Sequence, residues 1–224
     1  CNCISHIAFF LRHHIANPSY LLYYIKYDTI NTEKEQLPMQ LICETNRLIL
    51  QCLDKEAATA VRNFYRENRV YFEPYELTRT SSFYTVSTQA SILDWEWKEQ
   101  QAKHSLRYYM FLKEDPSQII GCVNFSDIRF GCMQKAALGY KLDYRYWHHG
   151  YAYEACTKCL EIIFDDYGLH RIEATIHPQN QPSIRLIQKL GFSYEGLERE
   201  AAEVNHHWQD LYLFSKLNPA QLSS

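Results

Sequence analysis

The chain has 224 residues, 46% of them hydrophobic and 22% charged, the balance of a globular protein with one core and room for an appendage. Its net charge of −3 supplies no basic field for nucleic acid. No apolar run approaches the roughly 18 residues of a membrane span, so neither nucleic-acid nor membrane partners are expected.

Residues 1–38 carry no clean period before Pro38. They read as an N-terminal extension or fragment outside the core, or as an ordinary surface helix. Met39 opens "MQLICETNRLIL", a natural start for a domain running to about residue 219. "RLILQCL" (47–53) predicts the first strand. Asp54 offers an N-cap, and Ala58, Val61, Phe64 and Tyr65 then share one helical face. Residues 69–79 contain Pro74 and no period, which predicts a loop or broken helix, and residues 84–104 predict a second helix. Residues 106–113, 118–128 and 134–142 read as three strands, the first two joined by a turn at Asp115-Pro116-Ser117. From about 150 to 166, Ala152, Ala155, Cys156, Cys159, Leu160, Ile163 and Phe164 form the stripe of a helix with one buried face. "RIEATI" (171–176) is a short strand, Pro182 opens a further helix that Gly191 stops, and two strands finish the chain. Hairpins mixed with a helical crossover predict the α/β (α+β) class with a mixed sheet.

Eight cysteines in a chain this long do not demand a disulfide framework, and a reducing, cytoplasmic setting is expected. Cys156-Thr157-Lys158-Cys159 lacks the second pair that a zinc site needs, and both thiols fall on the apolar stripe. The three His-His pairs lie in unrelated segments, so no metal is expected. Glu67, Glu73, Glu76, Asp94, Glu96 and Glu99 crowd one helical region. They read as a solvated face, or as an acidic wall that attracts a cationic peptide terminus.

"WHHGYAYEA" (147–155) joins a strand to a helix through a glycine. Such a junction is an anion site: the first N–H groups of a helix have no internal partner, and its dipole is positive there. Gly150 and Ala152 keep the approach open, and His148 and His149 can add donors.

Trp147-His148-His149-Gly150-Tyr151-Ala152 resembles the Q/R-x-x-G-x-G/A pyrophosphate loop of the GNAT family of acetyl-CoA-dependent N-acetyltransferases, with Trp in place of Gln or Arg. Asn180, Ser183, Lys189, Gly191, Phe192, Glu195 and Gly196 resemble the "N-x-x-S…K-L-G-F…E-G" pattern of its Rim-type branch. The resemblance covers roughly residues 45 to 217. Residues 64–79 and 119–142 look like the ribosomal-protein alanine N-acetyltransferases.

This resemblance implies a mainly antiparallel, twisted GNAT-type sheet flanked by helices on both faces. It implies acetyl-CoA as co-substrate, with no metal and direct transfer to an amine. The acceptor would be the N-terminal alanine of a ribosomal protein. Alternatives are a small-molecule amine or antibiotic, or a non-catalytic CoA-binding module; the chain would act as a monomer or homodimer. It assigns the diphosphate to the loop Trp147, His148, His149, Gly150, Tyr151 and Ala152, and the pantetheine to Tyr140, Lys141 and Leu142. An N–H near Leu142 would stabilise the tetrahedral intermediate, and Asn180 and Ser183 would lie beside the cofactor arm. Glu195 is the expected base and Ser183 the acid for the departing thiolate. Read on their own, Glu195 is an outward strand residue, Ser183 a helix-start hydroxyl, Asn180 an N-cap, and Trp147 and Tyr151 packing residues.

Overall fold

The structure, a computed structural model, describes residues 40–204 and 206–221. The expected extension at 1–38 lies outside the described residues. Eight strands form one sheet: β1 (Ile42–Glu44), β2 (Leu48–Gln51), β3 (Leu106–Leu112), β4 (Gly121–Arg129), β5 (Lys135–Leu142), β6 (Arg171–Ile176), β7 (Ser193–Val204) and β8 (His207–Leu217). Their order is β1-β2-β3-β4-β5-β6-β8-β7. Every neighbouring pair is antiparallel except β5 and β6. That pair needs a crossover, which a helix provides.

The helices are α1 (Ala58–Glu67), α2 (Arg69–Phe72), α3 (Val86–Gln101), α4 (Tyr151–Asp165) and α5 (Gln181–Lys189). α4 and α5 cover one face of the sheet, where Cys156, Cys159, Leu160, Ile163 and Ile187 pack on Tyr108, Val123, Ile172 and Phe214. α1 and α3 cover the other, where Val61, Phe64, Tyr65 and Leu93 meet Tyr109 and Cys122. Fully burying each of the Val, Leu, Ile and Phe side chains among them contributes about 1.5–3 kcal/mol. Cys156 and Cys159 are buried free thiols in the stripe, their ionisation pushed up by burial.

Two expectations need correction. β1 was not anticipated; it is three residues long with a single buried side chain, too short to show a period. The expected first strand contracts to Leu48–Gln51, and Asp54 caps a 3-10 turn (Lys55–Ala57) that precedes α1. Residues 69–79 follow the broken-helix alternative: α2 runs into a second 3-10 turn, Glu73–Tyr75, with Pro74 in its opening positions.

One irregularity positions the site. β5 and β6 are paired only from Lys135↔Arg171 to Ala137↔Glu173. Beyond that level β5 stays on β4 through Leu142, while β6 stays on β8 through Ile176. The strands therefore part towards their C-terminal ends and leave a V-shaped gap. The tip of β5 is tied down on the far side of the gap. Asn68, at the end of α1, donates to Asp143 Oδ2 (3.0 Å) and accepts from the Tyr144 N–H (3.1 Å).

Candidate active site

The edge of β5 that faces the gap can be read from hydrogen-bond alternation. The Asp143 N–H donates to Ile120 O on the β4 side at 2.8 Å. Successive backbone groups of a strand point to opposite sides. The N–H groups of Leu142 and Tyr140 therefore point into the gap. The Leu142 carbonyl accepts a hydrogen bond from Trp147 Nε1 (2.9 Å), which fixes the loop to the lip of the gap. This is the work of Trp147: its indole packs and anchors.

The loop then turns through two left-handed residues, His148 (φ 63°) and Gly150 (φ 81°). Backbone turns of this kind make concave nests of N–H groups that bind anions. Gly150 is the N-cap of α4 and offers no side chain to its donors. The first intrahelical bond is Glu154 N–H to Gly150 O at 3.1 Å. The N–H groups of Tyr151, Ala152 and Tyr153 are left pointing out of the helix start. The His149 Nδ1–H is held by Trp147 O at 2.7 Å, so that nitrogen is not free to meet an anion.

The sequence reading missed the brace behind this loop. Arg47, at the start of β2, lies over the Tyr151 ring, donates to His149 O (3.0 Å) and pairs with Glu154 (2.7 Å). Thr45 donates to the same carboxylate at 2.5 Å. These groups are more than 100 positions apart in the chain, and no local pattern joins them. A groove of about 540 Å³ runs from Arg47 and Gly150 along α4 to Lys158 and Lys189, with Glu154 and Glu161 paired to Arg47 and Lys158 along it.

Tyr140 and Ser183 meet on the α4/α5 side of the gap, with their hydroxyls 2.5 Å apart. The phenol also donates to Ser183 O at 3.1 Å, and burial pushes its ionisation well above the ordinary phenol. Both groups thus stay protonated at neutral pH. Asn180 is the N-cap of α5, its side chain accepting from the Ser183 N–H at 3.2 Å.

Glu195 is not brought to the lip. It sits on β7, separated from β5 by β6 and β8, three strand spacings or about 14 Å. Its carboxylate is gripped by both Arg171 Nη atoms and by Ser215 Oγ. The Arg171 and Ser215 hydrogen bonds hold its pKa at about 2, so it is a poor base near neutrality. A depressed carboxylate stabilises fully above its unfolded value, about 4.3, and loses that contribution as pH falls towards 2. Between those limits the melting temperature of wild type should fall more steeply than that of Glu195→Gln. At neutral pH the variant should keep most of its transfer rate; a dead Glu195→Gln enzyme would restore Glu195 as the base.

The six carboxylates do not form one acidic wall. Glu67 pairs with Arg145, Glu73 with Arg69, Glu76 with Lys141, Asp94 with Lys98, Glu96 with Arg107 and Glu99 with His104. Among the described residues no three His, Cys, Asp or Glu side chains group to hold a metal ion, and no helix is long and apolar enough to cross a membrane.

A parallel pair that parts beside an uncapped helix start gives the open strand edge and the exposed helix-start amides expected of the GNAT fold. Sequence comparison agrees. The profile of the acetyltransferase (GNAT) domain matches residues 47–193, and the chain belongs to that family. It is thus an acetyl-CoA-dependent N-acetyltransferase. It is 33% identical to the probable N-acetyltransferase YjcK of Bacillus subtilis (strain 168) over 68% of this chain and 84% of the relative. It is 28% identical to the ribosomal protein uS5-alanine N-acetyltransferase of Escherichia coli (strain K12) over 78% of this chain and 90% of the other. The crystal structure of ribosomal-protein-S5-alanine acetyltransferase from Vibrio fischeri superposes with a TM-score of 0.76 at 26% identity, covering 80% of this chain and 98% of that one. The Mycobacterium smegmatis RimJ structure, in complex with CoA-disulfide, shares the fold with a TM-score of 0.73 at 24% identity, covering 79% and 84%.

Proposed function

We propose that the chain acetylates the N-terminal amine of a protein, a ribosomal protein carrying an N-terminal alanine being the first acceptor to try. The similarity to the uS5-alanine enzyme along most of both chains supports the acceptor class. The observation that carries the chemistry is the gap between β5 and β6, which opens beside the uncapped start of α4. On this reading the N–H groups of residues 148–152 hold the diphosphate. The edges of Tyr140, Lys141 and Leu142 take the pantetheine as an added strand would lie. Asn180 and Ser183 line the arm. The Leu142 N–H faces the oxygen of the tetrahedral intermediate, where one such donor supplies about 2.7–4 kcal/mol. The hydroxyl pair Tyr140–Ser183 returns a proton to the departing thiolate. An α-amine, with a pKa of about 7.7–8.0, is partly neutral at physiological pH and needs only modest help. The catalytic unit is residues 39–219, acting in the cytoplasm as a monomer or homodimer.

The test is mass spectrometry after incubation with labelled acetyl-CoA, using peptides with free N-terminal alanine beside small amines and aminoglycoside-type drugs. Label on the peptide α-amine is the expected result. Turnover confined to small amines would replace the acceptor, and cofactor binding without turnover would leave a binding module.

A further inference from the structure

With Glu195 engaged elsewhere, the acceptor side of the gap needs another group to receive the amine. Register identifies that side. Lys141 lies opposite Cys122, whose side chain packs under α1 and α3. Directly opposite residues share a face, so Lys141 projects there too. By the same alternation, the face carries Ala137, and through Ala137↔Glu173 it carries Glu173 and Thr175 of β6. The 3-10 turn Glu73–Tyr75 and the residue after it lie over this face and touch both arms. The Tyr75 ring packs 5.9 Å from the ring of His177, just past β6. Glu76 pairs with Lys141 Nζ at 2.9 Å, one residue before Leu142 on β5. The turn thus straddles the mouth from the side opposite the cofactor loop.

We propose that Glu76 receives the acceptor amine at this mouth. The position already accommodates a primary alkylammonium, that of Lys141, beside a carboxylate only 18% exposed. Oε1 takes the Lys141 ammonium, and Arg79 stands 3.7 Å from Oε2, beyond a hydrogen bond. A carboxylate accepts about four hydrogen bonds, so it has capacity for an incoming amine. His177 bounds the other wall, held on both sides: its Nδ1 accepts the Gln179 N–H (3.1 Å), and its Nε2 faces Gln209 Oε1 (3.3 Å).

This assignment rests on the reading that an amine attacks the thioester from the α1/α3 side. The nitrogen lone pair bonds to the acetyl carbon and the carbon–sulfur bond breaks, with CoA leaving as its thiolate. The nitrogen, acidic once it is bonded to that carbon, passes its proton through Glu76 to solvent. The thiolate takes one proton from the hydroxyl pair, which recovers it from solvent.

The experiment compares wild type, Glu76→Gln and Glu76→Asp, on whichever amine the wild type acetylates. Glu76→Gln should lose about a hundredfold in kcat/KM for the amine, the scale of a positioned proton acceptor. Its KM for acetyl-CoA and its thermal shift with CoA should be unchanged, and Glu76→Asp should recover part of the rate. Wild-type rates in Glu76→Gln would overturn the assignment, as would equal losses in amine and acetyl-CoA parameters, which mark a merely structural ion pair. If Glu76→Gln fails to fold, Glu76→Asp decides: a raised amine KM at unchanged acetyl-CoA KM supports it, and wild-type kinetics overturn it. If wild type acetylates only small amines and Glu76→Gln loses them, the protein acceptor falls while Glu76 stands.

Discussion

Gly121→Ala should lower both stability and kcat. Gly121 lies on β4 opposite Leu142. A Cβ built there would stand 2.6 Å from Lys141 O, 2.9 Å from Met110 Sδ and 3.1 Å from Leu142 Cδ1. The first of these is backbone and cannot swing aside, so the tip of β5 must move. Overpacking of this kind costs about 1–3 kcal/mol, read as a fall in melting temperature. The displaced segment also carries the Leu142 N–H. Losing that donor should reduce kcat by about a hundredfold with saturating acetyl-CoA. A destabilised Gly121→Ala enzyme with normal kcat would remove Leu142 from the oxyanion role.

Gly150→Val should act on the cofactor instead. Space is not the obstacle, because the nearest atom to a new Cβ is Arg47 Nη2 at 3.5 Å, an ordinary contact. The obstacle is φ at +81°, where a branched side chain is strained. The left-handed conformation costs a residue with a Cβ about 1–2 kcal/mol. Relief comes by rotating the very peptides that form the nest. The expected result is a KM for acetyl-CoA raised about tenfold, the equivalent of about 1.4 kcal/mol, with kcat little changed. An unchanged KM would mean that the diphosphate is held elsewhere.

The two substitutions separate parts of one device. Gly121 lets β5 lie close on β4, which sets where the gap edge stands. Gly150 lets the loop turn into α4 without a capping side chain, which leaves the helix start open.

The stripe of α4, the strand Arg171–Ile176, the cap at Asn180 and the glycine junction into α4 were legible from residue order, because each depends on neighbours within a turn or two. Trp147, Tyr151 and Asn180 also matched their plainer readings as anchor, packing and cap. Glu195 went the other way. Its place after the Gly191-Phe192 turn suggested a base, but a charge takes its role from partners, and Arg171 and Ser215 lie 24 and 20 positions away.

The amino-acid order thus determined most of the elements, the class of sheet and the glycine turn into α4, since period, capping and glycine conformation act over a few residues. Where β5 leaves β6, which of its amides face the gap, how Arg47 braces the loop from more than 100 positions away and which carboxylate overlooks the mouth were decided only by tertiary structure. Those are matters of strand register and of ion pairs closed between distant segments, and register and pairing exist only once the chain has folded.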